Sequence, residues 1–138
     1  MNRLPLLLIA LLLGLSTLSA AAAPEAYRVK DVPNVQLTDR TRFVSDPADA
    51  IRPADEEALN RRIAALRDSF GVQIAIVVLP AIDGDKYGSA RAFANELFNT
   101  WGIGKKETNR GLLILLITNE DNREITFEVG YGLEGELT

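Results

Sequence analysis

The chain has 138 residues, with 15 Lys and Arg against 19 Asp and Glu, a net charge of −4, no Cys and no His. The acidic balance argues against nucleic acid or an anionic membrane surface as a generic partner. Without Cys there is no disulfide framework and no cysteine for a lipid anchor; without His the commonest general base and the commonest transition-metal ligand are missing, so a metal would have to be held by oxygen.

Arg3, an apolar run over residues 4–18 and small residues over 19–23 follow the order of a secretory signal, with cleavage expected after Ala21 or Ala22. No second apolar span of about 20 residues follows. The expectation is an exported protein, in the periplasm or on the outer face of the cytoplasmic membrane. Residues 1–22 are read as the signal, 23–41 as a polar arm or linker and 42–138 as one domain. Losing Arg3 takes the charge from −4 to −5. About 115 residues remain, enough for one core.

A short first strand is expected over residues 42–44, ended by the turn signal Ser45-Asp46-Pro47. From Pro53, Leu59, Ile63, Leu66 and Phe70 recur at helical spacing, with Asp55, Glu56 and Glu57 in the first turn and Gly71 as a left-handed stop. Residues 72–79 are almost continuously apolar, as a strand covered on both faces should be. A second helix is expected over residues 86–101, stopped by Gly102, and a second apolar strand over 112–117. Strand, helix and strand at this spacing imply a parallel, right-handed crossover. Ile125, Phe127 and Val129 alternate with Glu124, Thr126 and Glu128, the pattern of a strand with one wet face, paired as a hairpin. Two central strands call for helices on both faces, and two helices are few for that task. The expected class is α/β, a three-layer α/β/α sandwich with a mixed, mainly parallel sheet, incomplete at the C-terminal end.

Ligands in open α/β sheets usually bind at the loops that follow the parallel strands. Those loops carry Asp46, Asp83, Asp85, Glu120 and Asp121, a set that, if gathered, suits Ca²⁺ or Mg²⁺. Asp in loops also caps helices and makes turns, and no Asp-x-Asp-x-Asp-Gly calcium loop is present. Asp83-Gly84-Asp85 lies too far beyond its strand, with Tyr87 wrongly placed, for an aspartyl-phosphatase nucleophile pair. Gly130 to Gly135 fits G-x-G-x-x-G but follows a hairpin arm and would aim Glu134 at phosphate, so no nucleotide is expected there. The glycines are read instead as close backbone packing. Trp101, Gly104, Lys105 and Lys106, in the string WGIGKK, form a candidate anion subsite without Walker spacing. The competing reading is a helix stop with Trp101 packed and the lysines solvated. Serine catalysis has neither its elbow motif nor a His partner.

Taken together, VSDPADAI, ALNRRIAALRDSFGVQIAIVVLP, FANELFNTWGIGKK, NRGLLILL and ITFEVGYGLEGELT resemble the TPM domain family, including the bacterial YgcG-like exported proteins. The likeness covers nearly all of residues 42–138. It implies an exported α/β/α sandwich, often attached to a membrane by a later segment, with the domain running on past Leu137 and Thr138. Plant relatives are associated with photosystem repair and acid phosphatase activity, an animal relative with a membrane receptor, and some members with divalent cations. The function expected is an exported, membrane-associated accessory domain that has a membrane-protein partner and binds a divalent cation at its strand-end carboxylates; the alternative is a metal-dependent phosphatase in which Lys105 or Lys106 neutralises charge. Asp46 matches the family's aspartate after the first strand. Two departures are Arg52, where a helix-capping Ser is common, and Arg110, where Asn is frequent.

Overall fold

The computed structural model describes residues 25–104 and 108–137; residues 1–24, read above as signal and the start of the arm, lie outside it, as do Lys105, Lys106 and Thr138. Its centre is one sheet in chain order: β1 (Val44–Ser45), β2 (Gln73–Leu79), β3 (Gly111–Ile117) and β4 (Glu124–Val129). β2 and β3 pair in parallel over their full length, from Gln73 opposite Gly111 to Leu79 opposite Ile117. β1 adds two register positions, Val44 with Ile76 and Ser45 with Val77, and β4 closes an antiparallel hairpin on β3.

Two helices cover opposite faces. α1 (Pro53–Phe70) starts with proline in its first turn and ends at Gly71, whose φ of 65° is the left-handed stop; as the Arg52 departure foretells, no side chain caps its start. α2 (Ala90–Trp101) begins four residues later than its apolar pattern suggests. Ser89 accepts a hydrogen bond from the Ala92 amide at 3.1 Å, while the Asp83 carboxylate draws the Asp85 and Lys86 amides into a turn that the helix cannot include. Phe93, Ala94 and Leu97 of α2 pack on Val77, Leu79, Leu113 and Leu115. Ile63 of α1 packs on Ile74, Ile76 and Val78 from the other side, with Leu59 and Ala64 beside it. This is the expected three-layer arrangement on a mixed, mainly parallel sheet.

The chain steps β1 to β2 to β3 in one direction across the sheet, yet the two crossover helices lie on opposite faces. Two such crossovers have opposite hands, so one of them departs from the right-handed rule. The shortness of β1 keeps its claim on that rule small.

Three further features differ from the sequence reading. The segment expected to be a loose arm is built into the core: Tyr27, Val29 and Val32 are buried, and Tyr27 exchanges backbone hydrogen bonds with Ala81 and Asp83. The Tyr87 hydroxyl accepts from the Val29 amide at 3.0 Å, while the Tyr87 ring meets Phe93 edge-on at 4.7 Å. On α1, Ile63 is buried, whereas Leu66 and Phe70 of the same apolar stripe are exposed. On β4 the alternation faces the unexpected way. Thr126 is buried on the α2 side, while Ile125 (55% exposed) and Phe127 (50%) face solvent beside the half-buried Leu112, Ile114 and Leu116. α1 packs chiefly on β1 and β2.

Candidate functional site

The parallel strands give the sheet a carboxyl end and an amino end, and the candidate residues divide between them. At the carboxyl end, half-buried Asp46 uses both oxygens within its own loop, accepting from the Ala50 amide at 2.9 Å and the Ile51 amide at 2.8 Å. Asp83 accepts from the Arg28 Nε at 2.8 Å and from the Asp85 amide at 3.0 Å. The Arg28 guanidinium holds the Asp83 carboxyl below the ordinary range, against a smaller opposing effect of desolvation. Asp85, Glu120 and Asp121 are exposed; Glu120 lies 3.9 Å from Arg123. Among the described residues no three acidic side chains meet in a group that could hold a metal ion, so the expected gathering of five carboxylates is not formed. The physical reason is that backbone amides and Arg28 take up oxygens of Asp46 and Asp83 that a cation would need.

At the amino end backbone packs on backbone. The Gly104 amide donates to the Gln73 Oε1 at 2.7 Å, fixing the WGIG segment at the start of β2. Gly104 has a φ of 68°, and a Cβ there would collide with the Gly111 backbone. Gly130 and Gly132 lie against the carbonyl oxygens of Asn109 and Thr108 with no space for a Cβ, and their amides donate to Gly111 and Asn109 at 2.8 and 3.0 Å. The G-x-G-x-x-G string is thus a tight packing device, a 3-10 turn (Tyr131–Leu133) locked onto the loop before β3. Arg110 completes the lock. It donates to the Phe70 carbonyl at 3.2 Å, the Gly132 carbonyl at 3.2 Å and the Glu136 carboxylate, to which it makes two bonds of 2.6 and 3.1 Å.

Asp46 follows Ser45, which stands level with Val77, so it sits about five residues along β2 from Gln73 and Gly104, roughly 17 Å at strand rise. Trp101 and Gly104 are therefore not brought to Asp46. A phosphatase centre that draws on both groups would have to span the sheet.

The amino end does contain a cleft. A cavity of about 470 Å³ lies between the segment before β1, the start of β2 and the end of α2. Arg40 and Arg67 supply charge, Asn34, Gln36 and Gln73 supply amides, and Trp101 forms part of the wall. No carboxylate lines it, in a chain that is acidic overall. The Arg67 guanidinium lies 5.3 Å from the centre of the Phe43 ring, and its Nε is 3.2 Å from the exposed Asp68. A larger groove along α1 mixes Arg42 and Arg61 with Asp39, Glu56 and Glu57 and has no such bias. Sequence reasoning found Trp101 but missed both arginines. Arg40 lies in the segment read as an arm and Arg67 inside the first helix; an arginine just before a short strand was the available signal.

A family model described as the TPM domain matches residues 44–138, from β1 to the last residue and leaving the packed arm outside. A solution NMR structure of the N-terminal domain of a protein from P. gingivalis is similar, with a TM-score of 0.70 and 43% sequence identity, over 81% of this chain and 68% of that one. The curated proteins give no significant match. The matched span holds all four strands, both helices and the glycine lock, and the chain belongs to the TPM domain family.

Proposed function

We propose that this chain is an exported accessory domain that binds an anionic partner, presented by a membrane protein or near a membrane surface, in the cleft at the amino end of its sheet. The observation that carries this reading is the local reversal of charge: two arginines and three amides around an aromatic wall, without a carboxylate, in a chain of net charge −4. Low-dielectric walls concentrate such a field and select against the protein's own acidic surface. The residues 1–22 signal pattern supports export. Among the described residues no helix is long and apolar enough to cross a membrane, so attachment is assigned to a partner or to a further segment.

The test is a peptide-display selection against residues 25–138, run beside the Arg40→Glu/Arg67→Glu variant, with phosphate release from p-nitrophenyl phosphate measured in Ca²⁺, Mg²⁺ and chelator. Enrichment of acidic sequences by the wild type and its loss in the variant are expected. Metal-dependent phosphate release that Asp46→Asn abolishes would replace this reading with a hydrolase centred on the carboxyl end. Enrichment unchanged by the double variant would move the site elsewhere.

A further inference from the structure

We infer that the cleft receives its partner as an added β-strand: an extended acidic peptide pairs its main chain with the open edge of β2 at Ile74. This deepens the proposed function and rests on it for the charge of the partner. In a strand, successive residues direct their amide and carbonyl to alternate edges. The Ile76 amide donates to the Phe43 carbonyl on the β1 side at 3.0 Å, and the Gln73 amide donates to the Arg110 carbonyl on the β3 side at 2.8 Å. Ile74 has the parity of Ile76, so its amide and carbonyl face the β1 edge. The register of β1 reaches only Ile76 and Val77, and no described residue of β1 stands opposite Ile74.

The edge is held open by specific side chains. The residues that would extend β1 backwards along β2 are 41–43, and each has a backbone group bonded elsewhere. The Phe43 amide, which a longer β1 would direct at the Ile74 carbonyl, donates instead to the Asn60 Oδ1 of α1 at 2.7 Å. Gln36 Nε2 donates to the carbonyls of Arg40, at 3.2 Å, and Arg42. The Thr41 amide and hydroxyl both donate to the Asp39 carboxylate, at 2.9 and 2.7 Å, closing a turn that bends the chain away. Ile74 and Ala75 consequently form part of the cleft wall, with Arg40 and Arg67 among the other lining residues. Main-chain pairing gives such a site affinity for any extended segment, and the two arginines select those with acidic side chains. The far edge of the sheet, β4, has Glu124 and Glu128 along it and offers the opposite charge.

The experiment uses ¹⁵N-labelled residues 25–138 and an acetylated, amidated peptide of sequence Glu-Val-Thr-Val-Asp. Two N-methylated versions are compared, one blocking the second and fourth amides and the other the third. Strand addition predicts that one version loses at least tenfold in affinity while the other binds within about twofold of the parent, because only alternate amides face β2. It also predicts that the Ile74 amide exchanges at least tenfold more slowly with solvent when the parent peptide is bound. Equal binding by both methylated peptides, with Ile74 exchange unchanged and affinity still lost in Arg40→Glu/Arg67→Glu, overturns strand addition while the anionic-partner reading stands. Binding of the parent peptide that is indifferent to both arginines, or its absence at millimolar concentration, overturns both.

Discussion

The two ends of the sheet use polar chemistry in contrasting ways. At the carboxyl end two acidic side chains are already engaged within the protein: Asp46 holds the Ala50 and Ile51 amides, and Asp83 holds Arg28 and the Asp85 amide. At the amino end the chain is joined through glycines that pack backbone to backbone, which leaves Arg40, Arg67, Gln73 and Trp101 around an open cleft. The contrast teaches that a loop rich in carboxylates is not thereby a ligand site. What matters is whether the oxygens have partners already, and here the proposed cleft lies at the end opposite to where ligands in open α/β sheets usually bind.

The strongest way to break the comparison is with glycine. Gly132→Ala places a methyl group against the Thr108 carbonyl and should destabilise by on the order of 3 kcal/mol, lowering the melting temperature by about 10 °C or more. Gly84→Ala, at the carboxyl end with nothing within 4 Å of the added carbon, should change stability by less than about 0.5 kcal/mol. Equal melting temperatures for the two variants would mean that the amino end is not rigidly packed. Next in size is Asp46→Ala, which leaves two loop amides without their acceptor and should cost about 1–2 kcal/mol in urea unfolding. A wild-type melting temperature that rises with Ca²⁺ or Mg²⁺ and falls back with chelator would give Asp46 a ligand role beyond this turn.

A pH series sharpens the comparison, because at each end an arginine lowers the pKa of one carboxyl. The Arg28 and Arg110 guanidinium groups hold Asp83 and Glu136 below the ordinary carboxyl range, each through a side-chain hydrogen bond. A carboxyl depressed by folding stabilises the native state fully above its unfolded pKa, near 4, and that contribution is lost as the pH falls through the lower folded value. The difference in urea midpoint between wild type and Arg28→Met or Arg110→Met should therefore be constant from pH 7 to about 5 and shrink in more acidic solution. A difference that grew on acidification would show that these carboxyls are not held in their charged form. The smallest structural effect belongs to Arg40→Ala. Its stability should shift by under about 0.5 kcal/mol, while affinity for the acidic peptide falls severalfold. Loss of both together would make Arg40 a structural residue.

The central elements were readable because their signals are local. Continuous apolar runs gave β2 and β3, and proline, acidic first-turn residues and Gly71 marked α1. The start of α2 was misjudged because apolar periodicity does not register the competition between Ser89 as a cap and Asp83 as a turn former. β4 shows a deeper limit. Its alternation identifies a strand and pairs it correctly with β3, but does not say which side is covered, and Phe127 ends up more open than Thr126. The arm was misread because Tyr27, Val29 and Val32 are spread among polar residues, and only tertiary contact with Ala81 and Tyr87 makes them core. The candidate carboxylates were found by position alone, which could not show that their oxygens were engaged. The arginines of the cleft come from residues 40 and 67, too far apart in sequence for any motif to join them.

The Arg110 lock bears on the order in which the molecule is completed. One guanidinium ties the end of α1 at Phe70 to Gly132 and Glu136, contacts separated by 40, 22 and 26 positions along the chain. Until residues 132–136 have been made, Arg110 has only the Phe70 carbonyl of these partners, and the Leu133 place in the α1-side core is empty. Closure of the amino end thus waits for the hairpin and the turn beyond it, long after β2 has been synthesised. Matured in this order, the chain keeps its two α1-side partners, Arg110 and the Phe70 carbonyl, waiting for a third contact that residues 132–136 alone supply.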